Sequence, residues 1–240
     1  MYHKISLNYS PNFSTKKRII KNIKYLVFHY TGMKSESKAI NRLIDEDSKV
    51  SCHYLVKKNG NITLMVPELY IAWHAGISFW KNKRNLNKNS IGIEISNTGH
   101  QFGYQKYSKK QIMSLIKLSK YLIKKYKISK KNILGHSDIA FNRKKDPGEK
   151  FPWEQLATKG IGIWHHINSN LKSYRRGKIQ KNNYKKFTFF LKKIGYFTNT
   201  KSKIEKINLI KAFQRRFRPE LISGKIDKEC FLIAKKLSKN

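Results

Sequence analysis

Acidic residues are scarce in this chain. Its 240 residues include 14 Asp and Glu against 52 Lys and Arg, which leaves a formal net charge of +38 at pH 7. Such a charge favours polyanionic partners, and nucleic acid is the usual one. The basic residues are nevertheless spread over every segment, with no basic cluster interleaved with aromatic residues. We therefore expect mainly a solvated background charge and no nucleic acid partner, with an anionic cell-wall polymer or membrane surface as the alternative beneficiary.

Cysteines and long apolar runs are also rare. Cys52 and Cys230 lie far apart in the sequence, so we expect two ordinary buried thiols and no structural disulfide. No run approaches the roughly eighteen apolar residues of a transmembrane helix. The first residues lack both the apolar centre of a secretory signal and a lipid-attachment cysteine. A cytoplasmic location is the default expectation, with the periplasm or cell envelope as the alternative.

Several short segments have the apolar spacing of β-strands. Asn59-Gly60 lies between two of them and is a strong hairpin signal. In another, Ile91, Ile93 and Ile95 alternate with Glu94, which places the glutamate on the opposite face of the strand. The predicted strands cover residues 24–29, 53–56, 62–66, 91–95 and 133–134.

Helical spacing appears between these strands. Ser35 or Ser37 can cap a helix that runs to about Asp47. Ser108 and Gln111 form a capping box for a second helix, which ends near residue 126. The polar residues 81–90 predict a surface loop. Strands and helices mixed in this order predict an α/β fold with a central mixed β-sheet flanked by helices.

The chain divides into four predicted segments. Residues 1–20 are an irregular lead-in, residues 21–165 form the α/β domain, residues 166–182 lack periodicity and form a linker, and residues 183–240 are helical. In the last segment one amphipathic helix is closed by Gly195, a second is stopped by Pro219, and a third is capped by Asp227. These three helices predict a small C-terminal bundle.

Residues 135–152, GHSDIAFNRKKDPGEKFP, concentrate a histidine, acids and several lysines. Neutral imidazole and carboxylate are common zinc ligands, so His136 and Asp146 are candidates. Catalytic zinc usually takes three protein ligands and keeps one position open for water. His29, which follows the apolar run YLVF, is the best third candidate.

Five motifs follow one another along the chain: VFHYTG at His29, SCHYLV at His53, AWHAG at His74, SIGIEI at Glu94 and GHSDIAFNRKKDPG at His136. With this combination the chain resembles the zinc-dependent N-acetylmuramoyl-L-alanine amidases of the amidase-2, or peptidoglycan-recognition-like, family. The run AFQRRFRPELISGKID also resembles the peptidoglycan-binding-like helical domain of some bacterial members. The resemblance covers nearly the whole chain, and it implies one zinc ion per chain and a peptidoglycan or muropeptide substrate.

The resemblance also assigns roles to particular residues. His29, His136 and Asp146 would be the zinc ligands, and zinc so held would lower the pKa of its water towards about 7. Glu94 would be the general base, although without the resemblance it is a surface glutamate on a strand. Lys144, two positions before the ligand aspartate, would stabilise the oxyanion of amide hydrolysis. Its basic neighbours at positions 143 and 145 are the alternatives.

Other residues of the motifs have weaker assignments. His53 and His74 would shape the cleft, where they touch substrate or brace the metal ligands. Trp73 is a substrate-binding candidate, with burial as an equal alternative. Asp138 is expected to cap or brace its loop rather than bind metal. Trp80 is likewise either a substrate-binding residue or a buried one. Trp153 is expected to be structural. His3, His100, His165 and His166 are expected to have no role in the site.

The expected reaction is hydrolysis of the amide between N-acetylmuramic acid, or its anhydro form, and the L-alanine that begins the stem peptide. Two alternatives belong to other classes: a peptidoglycan-recognition module without catalysis, and a basic nucleic-acid-binding protein. Loss of a zinc ligand would signal the first, but all three candidates are present. The C-terminal bundle is expected either to hold peptidoglycan or to support the catalytic domain, since about sixty residues are marginal alone.

Overall fold

The computed structural model describes residues 5–167, 173–179 and 183–239. The strands of the described residues are β1 (Ser6–Leu7), β2 (Phe13–Ser14), β3 (Tyr25–Tyr30), β4 (Tyr54–Val56), β5 (Ile62–Leu64), β6 (Ile71–Ala72), β7 (Phe79–Trp80), β8 (Lys83–Arg84), β9 (Ser90–Ile95) and β10 (Ile133–Gly135). The α-helices are α1 (Glu36–Ile44), α2 (Lys109–Tyr126), α3 (His136–Ile139), α4 (Trp153–Thr158), α5 (Asn183–Ile194), α6 (Lys203–Phe217) and α7 (Lys228–Leu237).

Six strands form one mixed sheet in the order β1-β5-β4-β9-β3-β10. β4 and β5 are antiparallel and form the hairpin that Asn59-Gly60 predicts, whereas the other four neighbouring pairs are parallel. The central strands β3 and β9 are buried along nearly their whole length, as parallel strands covered on both faces must be. The predicted α/β fold with a mixed sheet flanked by helices is confirmed.

Side-chain caps begin three helices where the sequence predicts them, and one of these caps is Asp227 at the start of α7. Ser35 Oγ accepts a hydrogen bond from the Lys38 amide at 3.2 Å and starts α1. Ser108 and Gln111 form the predicted capping box of α2. α1 ends at Ile44, before the predicted end, because a 3-10 turn follows it over Glu46–Ser48.

Two segments that were predicted to be irregular instead take part in the fold. In the lead-in, β1 lies beside β5 at the edge of the main sheet, and β2 pairs with β6. In the predicted surface loop over residues 81–90, β8 pairs with β7 and the Leu86 side chain is fully buried. Strands of two residues are too short to produce a periodic pattern, which explains both errors.

Arg18 joins the lead-in to the sheet. Its guanidinium donates hydrogen bonds to the carbonyl oxygens of Glu68 at 2.8 Å, Asn87 at 3.0 Å and Ser90 at 2.6 Å. Burial lowers the pKa of Arg18 to about 10, so the side chain stays charged at neutral pH. One buried cation therefore connects the lead-in to two backbone segments that are distant from it in sequence, one at Glu68 and one from Asn87 to Ser90.

α5, α6 and α7 share a core with the α/β region. Phe187 and Phe213 from these helices belong to the same contiguous apolar cluster as Phe28 and Trp153. Burial of Trp153 confirms its predicted structural role. The predicted linker over residues 166–182 is described only at residues 166–167 and 173–179. There the Arg175 guanidinium pairs with the Glu229 carboxylate of α7 at 2.8 Å.

Cys52 and Cys230 are both buried free thiols, as predicted. Burial raises the pKa of each thiol, to about 12 for Cys230, so both stay protonated at neutral pH. Within the described part of the chain, no helix has the length and apolar character that crossing a membrane requires.

We expect Arg18→Ala to lower the free energy of unfolding by about 2–5 kcal/mol, because the carbonyl groups of Glu68, Asn87 and Ser90 lose their donor and the first and last of these hydrogen bonds are buried. The exposed Lys16 is the matched control, and Lys16→Ala should change that free energy by less than about 0.5 kcal/mol. Urea unfolding followed by circular dichroism measures both variants. Equal stability of the two variants would contradict the role given to Arg18.

Candidate active site

Three neighbouring parallel strands end at the candidate site. His29 in β3 stands directly opposite Glu94 in β9. On the other side of β3, β10 ends at Gly135, and His136 is the next residue. In open α/β sheets the crevice at the carboxyl ends of the strands is where ligands bind. The sheet itself thus brings two histidines and one glutamate to a common edge.

His29, His136 and Asp146 form a compact cluster at this edge. His29 Nδ1 lies 2.9 Å from His136 Nδ1 and 3.1 Å from Asp146 Oδ2, and His136 Nδ1 lies 3.0 Å from the same oxygen. All three residues are buried. The Ser137 amide, next to His136, donates a hydrogen bond to the Asp146 carbonyl at 2.8 Å, which holds the two loop positions together.

The cluster fits a zinc ion in both donor type and spacing. Ligand atoms at about 2.0–2.1 Å from a tetrahedral zinc ion are about 3.3 Å apart, close to the separations found here. Burial, followed by the nearby His136, lowers the pKa of His29 to about 4, so this imidazole is neutral at pH 7. Burial acts to raise the pKa of Asp146, but His136 and His29 outweigh it and hold that pKa well below its ordinary value. Neutral imidazole and ionised carboxylate are the forms that bind metal.

A chain of hydrogen bonds fixes the tautomer of His29. Ser90 Oγ donates to the Leu86 carbonyl at 2.6 Å, so it can accept from His74 Nε2 at 3.1 Å. His74 Nδ1 is then an acceptor for His29 Nε2 at 3.0 Å. The Nδ1 lone pair of His29 is therefore left facing the cluster. Burial, followed by the nearby His29, keeps the pKa of His74 well below its ordinary value, which favours the neutral ring that these hydrogen bonds require.

Gly92 makes room for the His74 ring. A Cβ atom at Gly92 would lie 2.3 Å from His74 Cγ, far inside van der Waals contact. The His74 ring of the AWHAG motif therefore requires glycine at position 92 of the SIGIEI motif. His53 immediately precedes β4, the strand beside β9; its Nδ1 accepts from the Gly92 amide at 3.0 Å and its Nε2 lies 3.1 Å from the Tyr70 carbonyl. His53 is fully buried and braces the strand from behind the site.

An open cleft of about 720 Å³ leads to the cluster. His74 and Trp73 line it, whereas Trp80 is buried in the core against Tyr196. The same cleft is bordered by Tyr30, Arg42, Glu94, His100, Phe102, His136, Arg143, Lys144, Lys145 and Asp146. The structure therefore brings together the candidate ligands, the candidate base and the candidate lysine.

Glu94 differs from Asp146 in its hydrogen bonding and in the direction of its pKa shift. Its Oε2 atom is buried and has no hydrogen-bond partner among the described residues. Burial, followed by the charge of Asp146, raises the pKa of Glu94 to about 8, with Lys144 acting in the opposite direction. A carboxylate with a raised pKa is a stronger base and is matched to proton transfer near neutral pH.

Three consecutive basic residues border the site in different ways. Arg143 donates to the carbonyl oxygens of Ala75 and of Ile77, the latter at 2.7 Å, and so holds the loop after His74. Lys144 is half-buried, and its charge acts on both Glu94 and His29. Lys145 is exposed at the rim. Lys144 is thus the cation best placed beside the candidate base.

Several residues of the site give no recognisable signal in the sequence. Ser90 and Arg143 act through contacts with distant segments, which spacing along one element does not reveal. His100 was expected to be a bystander, yet it lines the cleft, with Nδ1 2.8 Å from the Tyr30 hydroxyl and Nε2 3.0 Å from Glu149. Asp138 caps its own loop, as predicted, by accepting from the Gly135 amide at 2.7 Å.

Known proteins resemble this chain in both sequence and structure. It is 38% identical over 230 residues to the N-acetylmuramoyl-L-alanine amidase AmiD of Escherichia coli strain K12, a match that covers 90% of this chain and 82% of AmiD. The solved complex of the E. coli enzyme with the substrate anhydro-N-acetylmuramic acid-L-Ala-D-γ-Glu-L-Lys matches with a TM-score of 0.80 and 36% identity, over 94% of this chain and 92% of that one. The complex of AmpDh3 from Pseudomonas aeruginosa with an anhydromuramic pentapeptide matches with a TM-score of 0.79 and 31% identity. This match covers 95% of this chain and 96% of that one.

The model of one protein family matches residues 20–149, the part of the chain that carries the whole candidate site. That family is described as N-acetylmuramoyl-L-alanine amidase. The likeness to the solved amidases extends further, through the C-terminal helices. This chain belongs to the N-acetylmuramoyl-L-alanine amidase family.

Proposed function

We propose that this chain is a zinc-dependent peptidoglycan amidase. It hydrolyses the amide bond between N-acetylmuramic acid and the L-alanine of the stem peptide, with His29, His136 and Asp146 as zinc ligands. The observation that carries the proposal is the convergence of three buried ligand atoms within 3.1 Å of one another beside an open cleft, which His136 and Asp146 line. AmiD, a relative over most of this chain, has a complex with an anhydro-muropeptide named as its substrate, which supports the same substrate class here.

The residues around the cluster divide the work of amide hydrolysis. Zinc supplies a Lewis acid that lowers the pKa of water to about 7 and polarises a carbonyl group. Glu94, in register with His29, accepts the proton of the attacking water at its unpartnered Oε2 and passes it to the leaving nitrogen of L-alanine. The Lys144 ammonium stabilises the negative charge that develops on the carbonyl oxygen.

The hydrogen-bonded neighbours keep the ligand atoms aimed at the metal position. His74 and Ser90 orient His29, and the Ala75 carbonyl lies 3.1 Å from His136 Nε2 and orients that ring. Such partners fix both the tautomer and the direction of a ligating imidazole. Trp73 and Phe102 on the cleft walls provide apolar surface for the sugar or the stem peptide.

Removal of the metal is the first test. We expect purified protein to bind one zinc ion and to release stem peptide from anhydro-muropeptide, to lose that activity in chelator, and to regain it on addition of zinc. His136→Ala should abolish both zinc binding and hydrolysis, because it removes one of three ligands. The exposed His166 provides the control His166→Ala, which should retain both. A zinc-loaded protein that binds peptidoglycan without cleaving it would instead be a recognition module.

Glu94→Gln tests the general base. We expect kcat to fall by about 10²–10⁴, because the amide cannot accept the proton, while zinc content is retained. Glu154, exposed on α4, gives the matched control Glu154→Gln, which should leave kcat unchanged. Steady-state hydrolysis with a metal analysis of each sample measures both quantities. Wild-type kcat in the Glu94 variant would remove this residue from the mechanism.

The raised pKa of Glu94 also predicts how the stability of the metal-free protein depends on pH. The folded chain keeps the Glu94 proton up to about pH 8, whereas the unfolded chain loses it near the ordinary pKa of about 4.3. The contribution of Glu94 to stability therefore falls as pH rises between these values. Thermal unfolding in chelator should show Glu94→Gln gaining on the wild type from pH 5 to pH 8. A constant difference across this range would contradict the burial of an ionisable carboxyl here.

Lys144→Met and Lys145→Met form a matched pair that tests the oxyanion role. We expect kcat to fall by about 10²–10³ in the first variant, since the cation beside the reacting carbonyl is lost. The second variant removes the same charge from an exposed position and should keep nearly the wild-type kcat. Hydrolysis of soluble muropeptide at saturating substrate separates the two. Equal losses in both would indicate a general effect of charge on substrate attraction.

A further inference from the structure

Asp138 is a buried carboxylate that the proposed reaction does not use. It lies two residues after His136 in the short helix α3 and is 1% exposed. Its Oδ2 accepts the Gly135 amide of its own loop at 2.7 Å. A carboxylate this deeply buried requires further donors and a positive charge.

Both further donors come from the C-terminal region, one from the loop after α5 and one from α6. Tyr196, just after α5, donates its hydroxyl to Asp138 Oδ1 at 2.6 Å. Arg216, in the last turn of α6, donates from Nη1 to Asp138 Oδ2 at 2.5 Å. Arg216 is the only cation that pairs with Asp138 among the described residues, and it is itself 2% exposed.

Arg216 holds the segment on both sides of His136. While Nη1 binds Asp138, Nη2 donates to the carbonyl of Ile133 at the start of β10, at 2.9 Å. The ligand His136 lies between these two attachment points. The guanidinium is fixed in turn by the ring of Trp153, whose centroid is 4.3 Å away.

Tyr196 is held as firmly as Arg216. Its ring packs edge-on against Trp80 with centroids 4.9 Å apart. The preceding residue, Gly195, accepts a hydrogen bond from the Lys81 amide at 2.6 Å, and a Cβ there would lie 2.6 Å from Trp80. The donors to Asp138 thus sit on rigid, closely packed backbone.

We propose that the C-terminal helices position the metal ligand His136, through Tyr196 and Arg216 acting on Asp138. The inference rests on the proposed function, because it takes His136 as a ligand. Tyr196, Arg216 and Asp138 are positioning residues, and none of them touches the metal cluster. A catalytic region without α5 and α6 would leave Asp138 without the Tyr196 hydroxyl and without its cation, Arg216, so the two parts of the chain form one functional unit.

Zinc affinity of the full-length protein tests this proposal. Tyr196→Phe removes one hydroxyl from a packed ring, and Arg216→Lys keeps the charge but cannot bridge Asp138 and Ile133. The chain offers matched controls for both variants. Tyr126→Phe removes a buried hydroxyl that donates to Glu68, and Arg218→Lys alters a buried ion pair with Asp227 that lies within the C-terminal helices.

The zinc dissociation constant is measured by competition with a chromophoric chelator, and the absorption spectrum of the cobalt-substituted protein reports the ligand geometry. We expect the constant to rise about tenfold in Tyr196→Phe and Arg216→Lys, with an altered cobalt spectrum, and to stay near the wild-type value in both controls. Thermal unfolding of the metal-free variants shows whether stability changes in the same way in targets and controls.

Unchanged zinc affinity and cobalt spectrum in Tyr196→Phe and Arg216→Lys would overturn the positioning role and leave the proposed function intact. Equal weakening in targets and controls would also overturn it, because the effect would then follow stability alone. A wild-type protein that binds no zinc would overturn the proposed function and this inference together. Should Arg216→Lys fail to fold, the Tyr196→Phe and Tyr126→Phe pair still decides between these results.

Discussion

Parallel pairing of β9, β3 and β10 is the constraint on which the site depends. It sets Glu94 opposite His29 and ends β10 at the same edge, so that His136 emerges beside them. His29, Glu94 and His136, which are far apart in the sequence, therefore lie close together without a long loop. Only Asp146 arrives on a loop, and the hydrogen bond from the Ser137 amide to its carbonyl fixes that loop to His136.

The pKa values of the two carboxyl groups in the site are shifted in opposite directions. Two imidazoles beside Asp146 stabilise its charge, whereas Glu94 has an unpartnered oxygen and only the charge of Lys144 to favour ionisation. Burial pushes both pKa values upward, so the difference comes from the neighbours. Such a separation of pKa values fits the roles proposed for them, with Asp146 in metal binding and Glu94 in proton transfer.

Much of this arrangement could be predicted from the sequence, because long elements carry periodic signals. β3, β9, α2 and the three C-terminal helices were predicted for that reason, and the ligand candidates followed from histidines at strand ends. The two-residue strands β1 and β8 have no such signal. The partners of Asp138 lie 58 and 78 positions further along the chain, and no local pattern links residues at that distance. The same holds for Ser90 and for the cleft position of His100, both of which depend on tertiary packing.

A large share of the few acidic residues of this chain is buried. Five of the 14 are buried, namely Glu68, Asp138, Asp146, Asp227 and Glu229. Basic residues therefore outnumber acidic residues on the outer surface by a larger ratio than in the whole sequence. Two copies repel each other over about 10 Å at an ionic strength of 0.1 M, and over longer distances in dilute salt. Because this charge is spread over the whole surface and carries no information about shape, discrimination between substrates has to arise inside the cleft.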